Sequence, residues 1–533
     1  MRHRAVLIAA GMAALSLAAG SFWLRAQRND SRPLASLLPS GALLYLEAKD
    51  FDHLLDQWGS SEERRRWLAS DNATVLSQSR LLQRLMQAQI QFATVAGLPI
   101  EMNLVDELAG TQSAFAFYEF STVHFVYLTR LEGTRLEQSS LWKNRRSYQA
   151  RDVAGVPFYV KTETDAGVAY TVAVAAHDGW LVVATEPSLM ARTLALIARQ
   201  ATASVANETW FADTVKQAPE QGDLRLVYNL AALRKTPQFR TYWIQRNGSE
   251  LAAFLSGSAD VFDQPGGFEE RRVLLRVAPP ETSADSSSMS QVLSHIPPSS
   301  SLYRAWNAPS RDDIRSVLQQ VILSEPAEGP SLDRYAPQVS SSAPNVGSDA
   351  DLETRIDEPA FRRSADSTID AVTDAVMAMR PLALLHSQVT RFTGDRVFVL
   401  PESEVALVCA KPDRGAVDSI SLTKTGSLDP LRITVQNRAL ILSRLGPHTA
   451  AKAPPVLRGE SYAADYEHAA EWPRYQRLFS LIDKNPGNNA PAFFSGNLRS
   501  LGDSLYRLQR ATMVTQDEGV VTRDTVRYEF KAK

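Results

Sequence analysis

Carboxylates crowd one short stretch of the chain: Glu47, Asp50, Asp52 and Asp56 fall within ten residues, with His53 among them. Two carboxyl groups facing each other across a cleft can cleave a glycosidic bond, one as general acid and the other as base or nucleophile. Glu47 at a strand end, with Asp50 or Asp52 nearby, has the residue types for that chemistry. The competing reading is a helix start, where Asp50 or Asp52 accepts a hydrogen bond from the first turn and further acids favour the helix dipole. Ser310-Arg-Asp-Asp313 repeats the cap-like pattern after a second short strand, so capping is the preferred reading.

Basic-aromatic clusters are the other candidates. Arg64-Arg65-Arg66-Trp67 and Trp142-Lys-Asn-Arg145-Arg146-Ser-Tyr148 combine guanidinium forks with aromatic faces, a pairing that meets anionic headgroups, glycans or phosphates. Against this, Glu62 and Glu63 adjoin the first cluster, as on a solvated helix face with internal ion pairs. Arg64, Arg65, Arg66, Trp67, Trp142, Arg145 and Arg146 are therefore binding candidates, and no catalytic residue is assigned.

More specific motifs are missing. The eight His are at 3, 53, 124, 177, 295, 386, 448 and 468, with no two within one helical turn and no second Cys to join Cys409. Clustered ligands of that kind are what a metal site needs, so no metal is expected. Neither a Gly-x-Ser-x-Gly elbow nor a phosphate-cradling Gly-rich loop occurs, which argues against a nucleotide or another cofactor. Cys409 lies in Val405-Ala-Leu-Val-Cys-Ala410 and reads as a packed core thiol.

The elements around these residues suggest a repeat. Leu37-Leu-Pro-Ser-Gly-Ala-Leu-Leu-Tyr45 resembles His295-Ile-Pro-Pro-Ser-Ser-Ser-Leu-Tyr303, at an offset of 258. Asp178–Ala184 resembles Asn437–Ser443 at 259, Val227–Leu233 resembles Phe494–Leu501 at 268, and Glu270–Val277 resembles Arg523–Phe530 at 253. Four matches in one order point to duplication. Strands are expected at 42–48, 113–119, 124–130, 157–162, 169–175 and 180–185, then at 301–306, 396–400, 405–410, 431–436 and 440–445. Helices are expected at 62–96, with Leu81, Leu82, Leu85, Met86, Ile90 and Phe92 on an apolar face, and at 188–199, 311–323 and 361–379. His177-Asp-Gly-Trp180 is a tight hairpin signal, and Gly266-Gly267 and Glu518-Gly519 mark later turns. Strand runs with helices segregated between them predict an α+β fold. The expected order is a first unit at 33–278, a linker at 279–290 rich in Pro, Ser and Thr, and a second unit at 291–533. Within the second unit, 325–360 holds eight acidic residues against two Arg and reads as a flexible acidic insertion.

The N-terminus supplies an address. Ala5 to Leu24 is 20 residues without a charge, following Arg2 and Arg4 and preceding Arg25, Arg28 and Arg32. As a helix it measures about 30 Å, enough to cross a bilayer. Residues 1–32 are read as a membrane anchor, with a cleaved secretory signal as the alternative. Either places the body outside the cytoplasm, most simply on the periplasmic side of a bacterial inner membrane.

This start, Leu37-Leu-Pro-Ser-Gly-Ala-Leu-Leu-Tyr-Leu-Glu47, the segment Trp58-Gly-Ser-Ser through Trp67-Leu68, and Glu107-Leu-Ala-Gly110 together resemble a bacterial family designated domain of unknown function 3352. The resemblance spans most of 33–280 and extends more weakly into the second half. It implies an envelope protein and brings no active-site residues.

Composition is consistent with that setting. Of 533 residues, 44% are hydrophobic, and 57 Lys plus Arg balance 59 Asp plus Glu. A near-neutral globular chain argues against nucleic acid as partner. The expectation is a non-catalytic scaffold or binding module held at the membrane through residues 5–24, possessing a protein partner in the envelope. A carrier or chaperone for an apolar ligand and an envelope glycan hydrolase are the alternatives.

Overall fold

The computed structural model describes residues 32–69, 80–98, 102–120, 123–165, 168–237, 251–279, 286–322, 361–389, 402–413, 432–436, 438–443, 460–473 and 505–531. It is an α+β structure built on antiparallel strands. In the first half these are β1 (Leu44–Ala48), β2 (Gln112–Glu119), β3 (His124–Arg130), β4 (Gln149–Val153), β5 (Val156–Asp165), β6 (Val168–His177), β7 (Trp180–Ala184), β8 (Leu224–Tyr228), β9 (Phe254–Gln264) and β10 (Gly267–Arg276). The second half adds β11 (Leu302–Asn307), β12 (Pro381–Val389), β13 (Glu402–Cys409), β14 (Arg432–Gln436), β15 (Ala439–Ser443), β16 (Tyr462–Glu467), β17 (Leu508–Glu518) and β18 (Val521–Phe530).

Among the described residues, all 18 strands belong to one sheet. From one edge to the junction the pairings run β4-β5-β6-β7-β3-β2-β1-β8-β9-β10. Beyond the β10–β18 pair they run β18-β17-β16-β11-β12-β13-β15-β14. The second series reverses the first: a central strand (β1, β11) is flanked on one side by a three-strand meander and on the other by the remaining strands. Leu44, Phe117 and Tyr228 form one cross-strand row, and Leu302, Gln388 and Tyr466 form its counterpart. β10 meets β18 with Arg271 opposite Thr525, Gly267 opposite Glu529 and Leu275 opposite Val521, a pairing symmetric about the Arg271–Thr525 position.

Register sharpens the sequence matches. The offset of 258 at Tyr45 and Tyr303 and that of 259 at β7 and β15 agree with the pairings. Asp260 and Val514 occupy corresponding places opposite Arg225 and Ala463, which makes the meander offset 254 rather than 253. One residue matters, because a slip of one turns every side chain to the other face. The place of β8 is taken by β16, not by Phe494–Leu501, which lies outside the described residues.

Helices cover opposite faces in different places. Tyr45, Ala116, Leu128 and Val227 point to the face covered by the helix Pro187–Ile197, where Leu189, Met190 and Leu194 complete a core with Trp180. On the second half's corresponding face, Met289, Val292 and Leu293 of the helix Ser286–Leu293 pack on Tyr303, Ala305 and Leu385. The other face is covered toward the ends. Val95 and Leu104 lie over Val174 and Val183 in the first half; Ile314, Leu318 and Val376 lie over Leu384, Leu407 and Leu440 in the second. Each large apolar side chain removed from water here contributes roughly 1.5–3 kcal/mol.

Several expectations change. The helix Ser286–Leu293 begins inside the stretch read as linker, because Met289, Val292 and Leu293 give a Ser-rich segment one apolar side. Within the long helical region the described residues form the helices Glu62–Leu68 and Arg80–Ala96, and 70–79 lie outside the described residues. In the second, Phe92, Val95 and Ala96 face the sheet, while Met86 and Ile90, a turn apart on another side, are exposed. Asp178 and Gly179 take φ of 51° and 80°, both positive as a two-residue hairpin of this kind requires. The expected anchor at 5–24, the strand at 396–400 and the acidic insertion 325–360 lie outside the described residues. Among the described residues no helix is long and apolar enough to cross a membrane.

Candidate functional site

The carboxylate cluster after β1 resolves into structural roles. Asp50 caps the helix Phe51–Ser60, accepting from the His53 amide at 3.0 Å. Asp52 takes the Arg135 guanidinium on both oxygens, at 2.8 and 3.1 Å, and Arg135 also donates to the Asp106 carbonyl at 2.8 Å. Glu47 accepts from the Tyr45 hydroxyl at 2.5 Å. Burial raises the Tyr45 phenol well above its ordinary pKa, and the neighbouring Glu47 charge adds to the effect. Asp50, Asp52 and Glu47 thus serve different partners, an arrangement of cap and bridge rather than of a facing acid–base pair. Ser310 and Asp313 form the reciprocal capping box expected there, with Asp313 N to Ser310 Oγ at 3.1 Å and Ser310 N to Asp313 Oδ2 at 2.8 Å.

Arg64, Arg65, Arg66 and Trp67 all lie on the helix Glu62–Leu68, capped by Ser61. Arg65 pairs with Glu62, and Arg66 reaches the same carboxylate at 2.9 Å. The tertiary structure adds partners that no local pattern indicates. The Arg66 guanidinium lies 3.9 Å from the Tyr506 ring centroid, and Glu63 pairs with Arg507 at 3.3 Å. Trp67 is half-buried.

The second cluster is built differently. Leu141 anchors the helix Ser140–Asn144 in the core, and Ser139 caps it by accepting from the Trp142 amide at 3.3 Å. Trp142 packs edge-on against Tyr159 with ring centroids 5.9 Å apart. Arg145 lies over the Trp142 ring at 4.0 Å and donates to the Trp142 carbonyl at 2.5 Å. Arg146 is exposed. Trp142 and Arg145 thus belong to a folded-back turn against β5. Arg65 and Arg66 contact Glu62 and Tyr506, whereas Trp142 and Arg145 contact each other and Tyr159.

Sequence reasoning missed three cross-strand polar pairs, each with at least one buried member. Arg225 and Asp260, directly opposite on β8 and β9, meet at 2.7 and 3.1 Å with both side chains buried. Arg225 also donates to the Ala218 and Glu220 carbonyls, and Gly222 N donates to Asp260, so the pair is richly bonded. Asp465 is buried and takes Arg510 at 2.7 and 2.8 Å. Arg304 and His386 are opposite on β11 and β12, with Arg304 Nη2 3.0 Å from His386 Nδ1. A guanidinium only donates, so Nδ1 is the acceptor and the imidazole proton sits on Nε2. Burial, reinforced by Arg304, lowers the His386 pKa to about 3. Nothing in Leu384-Leu-His-Ser-Gln388 marks that histidine beforehand, because its partner lies 82 residues away. Cys409 is buried, and burial pushes its thiol pKa up to about 11, the behaviour of a core residue.

Among the described residues no three His, Cys, Asp or Glu are grouped to hold a metal ion. No family model matches the chain, and no curated relative does. Solved structures with some likeness include crystal form I of TP0453, at 11% identity and TM-score 0.25, covering 48% of this chain and 82% of the other. Crystal form III of the same protein gives 11% identity and TM-score 0.23, covering 49% and 88%. Likeness of this size carries no argument about fold or function.

Proposed function

We propose that the chain is a non-catalytic binding module of the bacterial envelope. In this reading it is anchored through residues 5–24, with a body made of one α+β unit used twice, at 33–278 and 291–533. The observation that supports it is the reversal of strand order on either side of the Arg271–Thr525 position. A repeated unit joined through its last strand makes one continuous sheet, an extended surface that supports a scaffold or binding role. Of the carboxylates clustered after β1, Asp50 serves as a cap, Asp52 as a bridge to Arg135 and Glu47 as acceptor for the Tyr45 phenol. The resemblance to the uncharacterised envelope family agrees with this placement.

Protease added to intact spheroplasts tests the placement: digestion of the body from outside is expected, and protection until the inner membrane is lysed would overturn it. Co-purification of the full chain from detergent extracts tests the binding role. A retained envelope protein is expected, whereas turnover of envelope glycans by the purified chain would overturn the non-catalytic reading.

A second reading, a carrier for apolar ligands, is favoured by aromatic groups on the sheet face opposite Tyr45. Phe115 and Phe125 stack at 5.1 Å, Phe268 and Tyr528 at 4.4 Å, and Trp306 meets Tyr462 at 5.4 Å. Displacement of a fluorescent fatty acid, lost on Phe268→Asp, is the expected sign of a carrier; no binding by the wild type would sink that reading.

A further inference from the structure

We propose that the surface formed by the helix Glu62–Leu68 and the segment 505–507 seats in the headgroup layer of an anionic lipid bilayer. The two pieces are more than 400 residues apart in sequence and are tied by two contacts, Arg66 over the Tyr506 ring and Glu63 with Arg507. Together they carry four arginines, at 64, 65, 66 and 507, against two glutamates, at 62 and 63. Arg65 keeps 76% of its side chain in solvent despite its pairing with Glu62. Beside these cations stand large apolar side chains that the fold leaves outside: Leu68 is 56% exposed and Tyr506 36%, with Leu505 also exposed.

That combination matches an interface between water and lipid. Phosphate headgroups attract the guanidinium forks, and the apolar groups enter the boundary of the acyl region. Tyrosine suits that depth because one end of its ring is apolar and the other polar. A protein partner would require a complementary, close-fitting patch of about 800 Å² on each side. Here the apolar groups project singly from a helix end and a turn, among long flexible cations. A diffuse plane of phosphates accommodates such groups without fixed geometry.

The inference deepens the reading of a membrane-apposed module, taking from it only the nearness of a bilayer. Flotation of the purified full chain with vesicles tests it, using phosphatidylcholine alone and phosphatidylcholine mixed with phosphatidylglycerol. Residues 1–32 contribute binding of their own, so the readout is the difference between wild type and variants. Arg65→Glu with Arg66→Glu is expected to weaken binding to the anionic vesicles by roughly tenfold and to leave neutral vesicles unaffected. Tyr506→Asp, in a turn outside any strand, is expected to weaken binding to both. Variants that bind anionic vesicles as the wild type does would overturn the proposal. So would a loss confined to a co-purifying protein, which would make the surface a protein interface. A body found in the cytoplasm would overturn the envelope reading while leaving the vesicle result intact.

Discussion

Where β1 sets Leu46 opposite Phe115, β11 sets Arg304 opposite His386; where β8 and β9 bury Arg225 against Asp260, β16 and β17 hold Ala463 against Val514. The two halves of the sheet follow one strand order yet fill corresponding positions differently, a polar pair in one half standing where an apolar pair stands in the other. What stays common is a set of positions that must be apolar or small for helices to dock, such as Tyr45 and Tyr303, each buried beneath a helix layer. What differs is filled by whichever group finds its hydrogen bonds. Strand order is therefore insensitive to the identity of individual buried pairs, provided that each pair is complete.

The largest test of that contrast is Asp260→Ala. It leaves Arg225 buried without its carboxylate and is expected to cost about 3–5 kcal/mol in chemical denaturation. Replacing both partners by the residues of the other half, Arg225→Ala with Asp260→Val, is expected to restore much of that loss. A double variant as unstable as the single one would break the comparison.

Next come matched helix-layer truncations, Leu194→Ala in the first half and Leu293→Ala in the second. Both side chains are buried, so each is expected to destabilise by about 2–5 kcal/mol. Because β10 and β18 join the halves, both variants are expected to shift one shared calorimetric transition. Two separating transitions would show that the halves unfold independently.

The Arg304–His386 pair predicts an acid response peculiar to the second half. His386 is held neutral when folded, its pKa lowered from 6.5 to about 3 by burial. Below pH 6.5 the unfolded chain takes up a proton that the folded chain refuses, so this contribution to stability is lost as pH falls toward 3. The slope is at most about 1.4 kcal/mol per pH unit. His386→Phe, the residue of the first half, removes that slope, and denaturation profiles at several pH values should show a shallower acid decline than the wild type. Equal declines would refute it.

The smallest effects concern the helix starts. Asp50→Ala and Ser310→Ala each remove a cap by a different residue type at a comparable place, and each is expected to cost about 1 kcal/mol by thermal melting. A markedly larger loss at one would show that the cap also positions something else.

Local chemistry was readable wherever a residue's partner is near in sequence. The Asp178-Gly179 hairpin, the caps at Asp50 and Ser310, and the helix Pro187–Ile197 follow from turns, caps and spacing. β12 was missed because Pro381 opens it and His386, Ser387 and Gln388 interrupt its apolar run. β16 was missed because Tyr462-Ala-Ala-Asp-Tyr-Glu467 offers small and acidic residues to a strand buried by its neighbours. The one-residue error at β10 arose from Val273-Leu274-Leu275, a run that does not alternate and so does not declare its face. For the candidate residues, the pairing of Arg65 and Arg66 with Glu62 was local and legible. The approach of Tyr506 and Arg507 was not, since it depends on where a strand of the other half begins.

The β10–β18 junction has a consequence for the newborn chain. β10 pairs at once with β9, its hairpin neighbour, but its other edge waits for a strand about 250 residues downstream. At about 5–20 residues per second, that edge stays open for roughly ten to fifty seconds of synthesis. An open strand is a template for wrong partners, and internal charge is a common deterrent. Glu269-Glu270-Arg271-Arg272 sits in the middle of β10, where Arg271 and Arg272 pair with Glu269 and Glu270. That charged run guards the open edge of β10 until β18 arrives.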